Sequence, residues 1–193
     1  MAVWGIAIGA GMLLMHAYAS RPGDPGNPPV RWPVPSRPER DSDRPHLLIF
    51  LHPRCPCSRA SVTELTAILA RCDGRLTARA VLFRPAAQDD SWFEPELLAA
   101  LADIPGLEIT PDPDGEEARR FGVATSGHVL LFDAQGDLKF SGGLTPGRGQ
   151  YGNATGRSAL LARLVDPSPR GQDEPVFGCP LLNCRSTRGL RQP

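Results

Sequence analysis

The chain has 193 residues, 41% of them hydrophobic and 22% charged, and its formal net charge is zero. This length and apolar fraction suffice for one modest domain with extensions. The balanced charge supplies no attraction toward nucleic acid or an anionic membrane surface, so we expect no nucleic-acid partner. Its 20 glycines and 21 prolines concentrate in particular segments, which predicts loose ends around a compact middle.

Residues 1–20 are predicted to be a membrane anchor or a signal peptide. Residues 2–19 form an apolar run of about the length needed to cross a bilayer, so the membrane is a predicted partner. The run ends in Ala17-Tyr18-Ala19-Ser20, which matches a signal-peptidase site, but the basic region that opens a signal peptide is missing. A retained anchor and a cleaved signal are therefore both open. Either one places the rest of the chain in the periplasm or outside the cell, where disulfide chemistry is permitted.

The segment 21–45 is rich in Pro, Gly, Arg and Asp and has no apolar periodicity. Chains of this composition bury too little apolar surface to fold, so the segment is predicted to be an extended, solvated linker. The folded domain is expected over residues 46–166. Residues 167–193 are predicted to be a flexible tail that contains cysteines.

A strand, a pair of cysteines and a helix follow one another near the middle of the chain. The apolar run at residues 46–51 is typical of a strand buried on both faces. The segment Cys55-Pro56-Cys57 comes next. Apolar residues then recur at helical spacing, at Val62, Leu65, Ile68 and Leu69. The two cysteines are therefore predicted to lie between the end of the strand and the start of the helix.

The start of a helix favours a thiolate over a thiol, because the first N–H groups have no intrahelical partner and the helix dipole is positive there. Arg54 and Arg59 add positive charge nearby. We therefore predict that Cys55 and Cys57 are reactive and stand exposed. His52 is a candidate proton donor or metal ligand beside them, and it is equally well explained as a solvated loop histidine.

Only Pro56 separates the two cysteines. Residues two apart meet the distance requirement for a disulfide but strain the ring, and proline fixes one backbone dihedral angle between them. A strained disulfide is easier to reduce, which favours disulfide donation or isomerisation over a static cross-link. Thiolate metal binding and an inert structural pair are the alternatives.

The remaining elements alternate between strand and helix before a final hairpin. Strands are predicted at 76–83, 107–109, 128–133 and 138–143, and helices from Ser91 to Leu101, at 115–121 and at 155–164. The resulting order is β-α-β-α-β-α-β-β-α, which predicts an α/β domain.

This element order, with a dithiol at the start of the first domain helix, resembles the thioredoxin superfamily over residues 46–165. The most similar members are membrane-tethered extracytoplasmic proteins of the TlpA or ResA kind. More narrowly, the segments 52–57, 148–156 and 177–181 look like a bacterial group labelled RedB. The resemblance implies a thioredoxin-like fold with a central mixed sheet flanked by helices, and a protein substrate that contains a disulfide or thiols. It also implies that Cys55 attacks and Cys57 resolves.

Three departures from the superfamily pattern qualify what the resemblance implies. The cysteines are separated by one residue instead of two, which leaves the order of attack open. Gly127 stands where the superfamily has a cis-proline opposite the dithiol. In the family, the absence of that proline removes a barrier to metal capture by the cysteines. The first strand also lacks the buried acidic residue of the family. Pro56, Ser126 and Gly127 are the predicted substrate-binding residues, because the backbone at Ser126 and Gly127 would pair with an incoming peptide.

The other three cysteines receive separate predictions. Cys72 is expected to be a small buried hydrophobe. Cys179 and Cys184 are predicted to bridge each other, with exchange against the Cys55 and Cys57 pair as the alternative. Arg148, in the glycine-rich segment 142–156, is a further candidate at the active face.

The leading functional hypothesis is an extracytoplasmic thiol–disulfide oxidoreductase that uses Cys55 and Cys57, supported by His52, Arg54 and Arg59, without a cofactor. The second hypothesis is a copper-binding or copper-delivery protein with His52, Cys55 and Cys57 as ligands, because soft thiolates favour Cu(I). A third is a catalytically silent thioredoxin-like scaffold that binds partners.

Overall fold

The predicted strands and helices are all present, in the predicted order. A computed structural model describes residues 2–36, 43–72, 74–152, 155–166 and 173–182. The helices are α1 (Ala2–Ala19), α2 (Ser58–Cys72), α3 (Pro95–Ala102), α4 (Glu116–Arg120) and α5 (Thr155–Val165). The strands are β1 (His46–Leu51), β2 (Thr77–Arg84), β3 (Leu107–Pro113), β4 (His128–Phe132) and β5 (Leu138–Gly143). A 3-10 helix spans Asp90–Trp92.

The strands form one five-stranded sheet in the order β3-β2-β1-β4-β5. Strands β1, β2 and β3 are parallel, whereas β4 runs antiparallel to both β1 and β5. The predicted α/β fold with a central mixed sheet is therefore confirmed. Because β1 is the middle strand and is buried along its whole length, it places the segment that follows it at the centre of one sheet edge.

The two faces of β1 belong to two hydrophobic cores, since successive side chains of a strand point to opposite faces. Leu47, Ile49 and Leu51 pack with residues of α2, α3 and α5. Leu48 and Phe50 pack on the other face, with α4 and the aromatic residues that follow it. The buried strand therefore holds both layers together. The predicted burial of Cys72 is also confirmed, because it is 5% exposed in the first core.

Two element boundaries differ from the predictions. Ser91 does not open α3: the Asp89 side chain accepts a hydrogen bond from the Ser91 N–H at 3.0 Å and caps the 3-10 helix. Helix α3 instead begins at Pro95, a favoured first helical residue because it needs no N–H partner. Strand β3 continues to Pro113 because it pairs with β2 over that whole length. This pairing joins distant parts of the chain, so the local sequence pattern does not predict it.

Most described residues of the predicted linker, in the ranges 21–36 and 43–45, are exposed as expected, but the segment also packs on the domain. Trp32 is only 9% exposed and belongs to the second core. Its ring packs edge-on against Phe121 and Phe132, with ring centroids 5.2 and 5.1 Å away. An aromatic side chain and backbone hydrogen bonds, such as the one from the Asn27 N–H to the Gly122 carbonyl at 2.8 Å, attach this segment to the domain. The absence of apolar periodicity does not predict such contacts.

The predicted anchor segment is helical as α1, and several of its large apolar side chains are exposed, among them Val3, Ile6 and Leu14. Among the described residues, no helix combines the length and the apolar character that a membrane crossing requires.

The prediction of a flexible C-terminal tail is wrong for residues 173–182, which dock on the domain. Val176 and Leu181 are each 1% exposed. The Glu174 N–H donates a hydrogen bond to the Ser141 carbonyl at 3.0 Å, which ties the segment to β5. Cys184 lies outside the described residues, so its predicted bridge to Cys179 stays a prediction.

Candidate redox site

The two cysteines of the Cys-Pro-Cys segment lie directly before α2. The Cys57 carbonyl accepts a hydrogen bond from the Ser61 N–H at 3.3 Å, the first bond of the helix. The Cys55 N–H donates to the His52 carbonyl, and the Cys55 carbonyl accepts from the Ser58 N–H, both at 3.0 Å. These turns hold the segment at the carboxyl edge of β1, where the strand-to-helix pattern predicts it.

The prediction that both sulfurs stand exposed is wrong, because Cys55 is 4% exposed and Cys57 is 9% exposed. The loop after β5 and the C-terminal segment pack over them, which a local sequence pattern does not reveal. Cys55 nevertheless borders a cavity of about 270 Å³. The other lining residues are Pro53, Arg54, Pro56, Arg59, Glu94 and Leu97. A reactant can therefore approach Cys55 from the α3 side.

The pKa of Cys55 is lowered by its hydrogen-bond partners. Burial alone raises that pKa, but hydrogen bonds from the side chain and backbone of Cys179 and from the backbone and side chain of Cys57 outweigh the effect of burial. These donors stabilise the charged form of Cys55. Of the three cysteines at this site, Cys55 is the one whose pKa is lowered.

The pKa of Cys57 moves in the opposite direction. Burial raises it most, and the negative charge of Cys55 and the hydrogen bond to Cys55 raise it further. A hydrogen bond from the Gly149 backbone and the positive charge of Arg148 act against this rise. The pKa values of two thiols one residue apart are therefore shifted in opposite directions, which agrees with the order of attack that the resemblance implies.

Cys179 is the third thiol of the site. Burial, the hydrogen bond to Cys55 and the charges of Cys55 and Cys57 raise the pKa of Cys179 to about 12, with Arg148 opposing. The structure thus brings Cys179 to the Cys55 and Cys57 pair, the alternative that the sequence left open. No local pattern around position 179 identifies this contact.

The predicted peptide-binding backbone at Ser126 is occupied by the C-terminal segment of the same chain. The Ser126 N–H donates to the Cys179 carbonyl, and the Leu181 N–H donates to the Ala124 carbonyl, both at 2.8 Å. These two bonds flank an antiparallel bridge between Thr125 and Pro180. Proline loses no ladder hydrogen bond there, because residues in such a non-hydrogen-bonded pair do not exchange N–H···O bonds.

Gly127 stands where the superfamily pattern has a proline, and the backbone conformation at this position explains why glycine replaces proline. Its φ is +89°, which proline does not reach, and its N–H donates to the Phe50 carbonyl at 2.7 Å. A side chain at this position would also lie 2.7 Å from the Ser61 hydroxyl oxygen. The Gly127 N–H therefore serves the fold, and Ser126 alone of the two offers its N–H to a peptide.

His52 does not combine with the cysteines as a metal site. Its ring stacks on Phe83 with centroids 5.2 Å apart, and its Nδ1 accepts the Arg54 N–H at 3.2 Å. Burial and the charge of Arg54 lower the pKa of His52, so the ring is neutral near pH 7. Within the described ranges, no group of three or more His, Cys, Asp or Glu side chains is arranged to hold a metal ion.

Arg54 and Arg59 shape the cavity beside Cys55. The Arg54 guanidinium lies 3.7 Å from the centroid of the Trp92 ring, a cation–π contact. Arg59 approaches the carboxylates of Glu94 and Glu96 at 3.9 Å and remains exposed. The arginine that acts on the pKa of Cys57 is instead Arg148.

Two residues that the sequence analysis missed support the site. The Ser58 hydroxyl donates to the His52 carbonyl at 3.0 Å and lies 3.1 Å from the Ser126 hydroxyl, so it joins the two sides of the site. Glu64, 2% exposed in α2, accepts hydrogen bonds from Arg157 at 2.8 Å and from the Gly152 N–H. This carboxylate fixes the loop that carries Arg148. Ser58 and Glu64 look like ordinary polar helix residues in the sequence, so the sequence alone does not predict their contacts.

No protein-family model and no curated protein sequence matches the chain. An uncharacterized conserved protein from Geobacillus kaustophilus has a similar structure, with 19% identity, a TM-score of 0.60 and coverage of 84% of this chain and 92% of that one. A hypothetical protein from Sinorhizobium meliloti 1021 has 18% identity, a TM-score of 0.59 and coverage of 85% and 97%. A secreted Mycobacterium tuberculosis disulfide oxidoreductase shares 18% identity, at a TM-score of 0.45, over 63% of this chain and 81% of its own.

The sheet order, the helix placement and the position of the dithiol define the class of protein: the fold is thioredoxin-like. In fold, the chain resembles the thioredoxin superfamily.

Proposed function

We propose that the protein is a thiol–disulfide oxidoreductase whose attacking nucleophile is Cys55. The observation that supports this role is that the pKa values of two neighbouring thiols are shifted in opposite directions. Four hydrogen-bond donors from Cys57 and Cys179 lower the pKa of Cys55, whereas burial and the Cys55 charge raise that of Cys57. A thiolate beside a protonated thiol is the arrangement that disulfide exchange requires.

In the proposed reaction, a substrate disulfide enters the cavity beside Cys55. The Cys55 thiolate attacks one substrate sulfur, so that a mixed disulfide forms and the other substrate sulfur leaves as a thiolate. A protonated thiol of the chain then gives up its proton, attacks the Cys55 sulfur and releases the second substrate thiol. The superfamily pattern assigns that second step to Cys57. The two cysteine thiols supply both electrons that reduce the substrate disulfide, so the proposed reaction needs no cofactor.

We further propose that the substrate is a protein and that the domain works outside the cytoplasm, as in the TlpA- and ResA-like group. The apolar segment 2–19 supports this location, and the proposed disulfide chemistry of Cys55 and Cys57 is permitted there. A fusion of alkaline phosphatase to the C-terminus tests it, since phosphatase folds actively only after export. An inactive fusion that accumulates in the cytoplasm would contradict the location.

The activity itself is tested by the reduction of insulin with dithiothreitol as the electron donor. We expect Cys55→Ser to lose at least about 100-fold in rate, because Cys55 is the one thiol of the site whose pKa is lowered, whereas the pKa values of Cys57 and Cys179 are raised. Cys57→Ser should still form a mixed disulfide on Cys55. Cys72→Ala, in the core on the far end of α2, is the matched control with an unchanged rate. A Cys55→Ser protein that keeps the wild-type rate would overturn the proposal.

A further inference from the structure

Cys179 enters the site on a segment that is held at several points. The Arg148 guanidinium donates to the Gly178 carbonyl, and the Gly23 N–H donates to the Val176 carbonyl at 2.8 Å. Together with the two hydrogen bonds at the 124–126 backbone, these contacts fix the backbone on both sides of Cys179. Its thiol therefore has a defined position relative to Cys55.

The segment 173–182 also lies in the place of a peptide ligand. It adds an extended strand to an exposed backbone edge, and its ladder bonds fall on the same Ser126 N–H that the superfamily pattern assigns to a substrate. Gly178 allows this close approach, because a Cβ at that position would lie 1.9 Å from the Ser126 carbonyl oxygen. The residue that this arrangement presents to Cys55 is a cysteine.

We propose that Cys179 is a third redox-active cysteine and that the intramolecular disulfide of this protein joins Cys55 to Cys179. The role of Cys179 in turnover rests on the proposed function, whereas its position beside Cys55 follows from the docked segment 173–182. Cys179 hydrogen-bonds Cys55 through both its side chain and its backbone. It is thus placed to attack any mixed disulfide formed on Cys55.

The electron balance of this step is complete within the site. The Cys55 thiolate and a substrate disulfide give a mixed disulfide and one substrate thiolate, which takes up the proton of Cys179. The Cys179 thiolate attacks the Cys55 sulfur and forms the Cys55–Cys179 bond, and the second substrate sulfur leaves as a thiolate. The substrate gains two electrons, and the Cys55 and Cys179 pair loses two.

Chain geometry favours Cys179 over Cys57 as the partner in this bond. A disulfide between Cys55 and Cys57 closes a small ring around Pro56, whose φ is fixed, and such a ring is strained. Cys179 comes from a different part of the chain, so its bond to Cys55 closes no small ring. The Cys57 thiol also faces the Gly149 N–H, a contact that a bond to Cys55 would disturb.

Disulfide mapping of the full chain tests the proposal. The protein is reduced, freed of reductant under nitrogen, oxidised with oxidised glutathione, blocked with N-ethylmaleimide and digested with trypsin. The peptide 55–59 should be found joined to the peptide 171–185 by mass spectrometry. A bond closed within the peptide 55–59, with Cys179 alkylated by maleimide, would overturn the proposal.

A matched pair of variants assigns the two tail cysteines, which share one tryptic peptide. Cys184→Ser should keep the joined peptides and Cys179→Ser should lose them. Cys57→Ser should keep them as well, which identifies Cys55 as the other partner. Loss of the link in Cys57→Ser, or its survival in Cys179→Ser, would contradict the assignment.

A single-turnover measurement separates this inference from the proposed function. After oxidised glutathione is added, Cys179→Ser should release glutathione from Cys55 at least about tenfold more slowly than Cys57→Ser does. Equal release rates would refute the role of Cys179 and leave the oxidoreductase activity standing. A Cys55–Cys179 link in a protein that reduces no insulin would instead refute the proposed function alone.

Discussion

Two segments that flank the domain, the N-terminal flank at residues 21–36 and the C-terminal flank at residues 173–182, dock on the same loop before β4. The Asn27 N–H of the first donates to the Gly122 carbonyl at 2.8 Å. The Ser126 N–H donates at the same distance to the carbonyl of Cys179 in the second. Neither segment belongs to a helix or a long strand, yet the backbone of each forms a hydrogen bond with this loop.

The two flanks differ in what they deliver. The N-terminal flank places the Trp32 ring in the aromatic core beneath the sheet, where it packs with Phe121 and Phe132. The C-terminal flank places the Cys179 thiol against Cys55. Under the role proposed for Cys179, one flank serves mainly stability and the other mainly chemistry, although their mode of attachment is similar.

The largest expected effect comes from removing the anchor of the N-terminal flank. Trp32→Ala should lower the free energy of unfolding by about 3–5 kcal/mol, because a buried aromatic side chain and its packing contacts are lost. Urea denaturation measures it. Trp4→Ala, at a position 75% exposed in α1, is the control and should change stability by no more than about 0.5 kcal/mol. A loss below about 1 kcal/mol in Trp32→Ala would show that the flank is not a structural element.

A pair of glycine variants contrasts the two flanks directly. A Cβ at Gly26 would lie 2.0 Å from the Gly122 carbonyl oxygen, and one at Gly178 would lie 1.9 Å from that of Ser126. Gly26→Ala should cost about 1–3 kcal/mol of stability and leave the Cys55–Cys179 link unchanged. Gly178→Ala should reduce the yield of that link at least about tenfold, because its segment is displaced.

The readouts for this pair are urea denaturation and the mapped fraction of joined peptides. Gly11→Ala is the control for both measurements, since a Cβ at that position would meet no atom within 4 Å. If Gly26→Ala and Gly178→Ala reduce the link equally, the division of roles between the flanks is wrong.

The smallest effect is expected at Arg148, which joins the loop after β5 to the C-terminal flank. Its positive charge opposes the rise in the pKa of Cys57, so Arg148→Gln should raise that pKa further. Alkylation of Cys57 by iodoacetamide at pH 8 should slow about two- to fivefold, as expected when an interaction of under about 1 kcal/mol is lost. Arg148→Lys keeps the charge and should restore the rate. A rate that stays low in Arg148→Lys would indicate that the hydrogen bond to Gly178, and not the charge, is what matters.

Most of the fold follows from local patterns. The apolar run of β1, the helical spacing in α2 and the hairpin of β4 and β5 each depend on neighbours within about ten residues. The exceptions have distant causes. Strand β3 extends as far as β2 offers a partner, and the N-terminal flank is held by an aromatic cluster whose other members lie far along the chain.

By itself, the sequence determined that a Cys-Pro-Cys segment sits between the central strand and the first domain helix, because both elements are specified by their own side chains. Only the tertiary structure decided that the pKa of Cys55 is lowered, that Gly127 keeps its N–H for the fold, and that Cys179 lies against Cys55. These properties depend on burial and on hydrogen bonds between segments that periodicity treats as unrelated. A protein pKa and a disulfide partner are set by what surrounds a sulfur, and those surroundings exist only once the chain has folded.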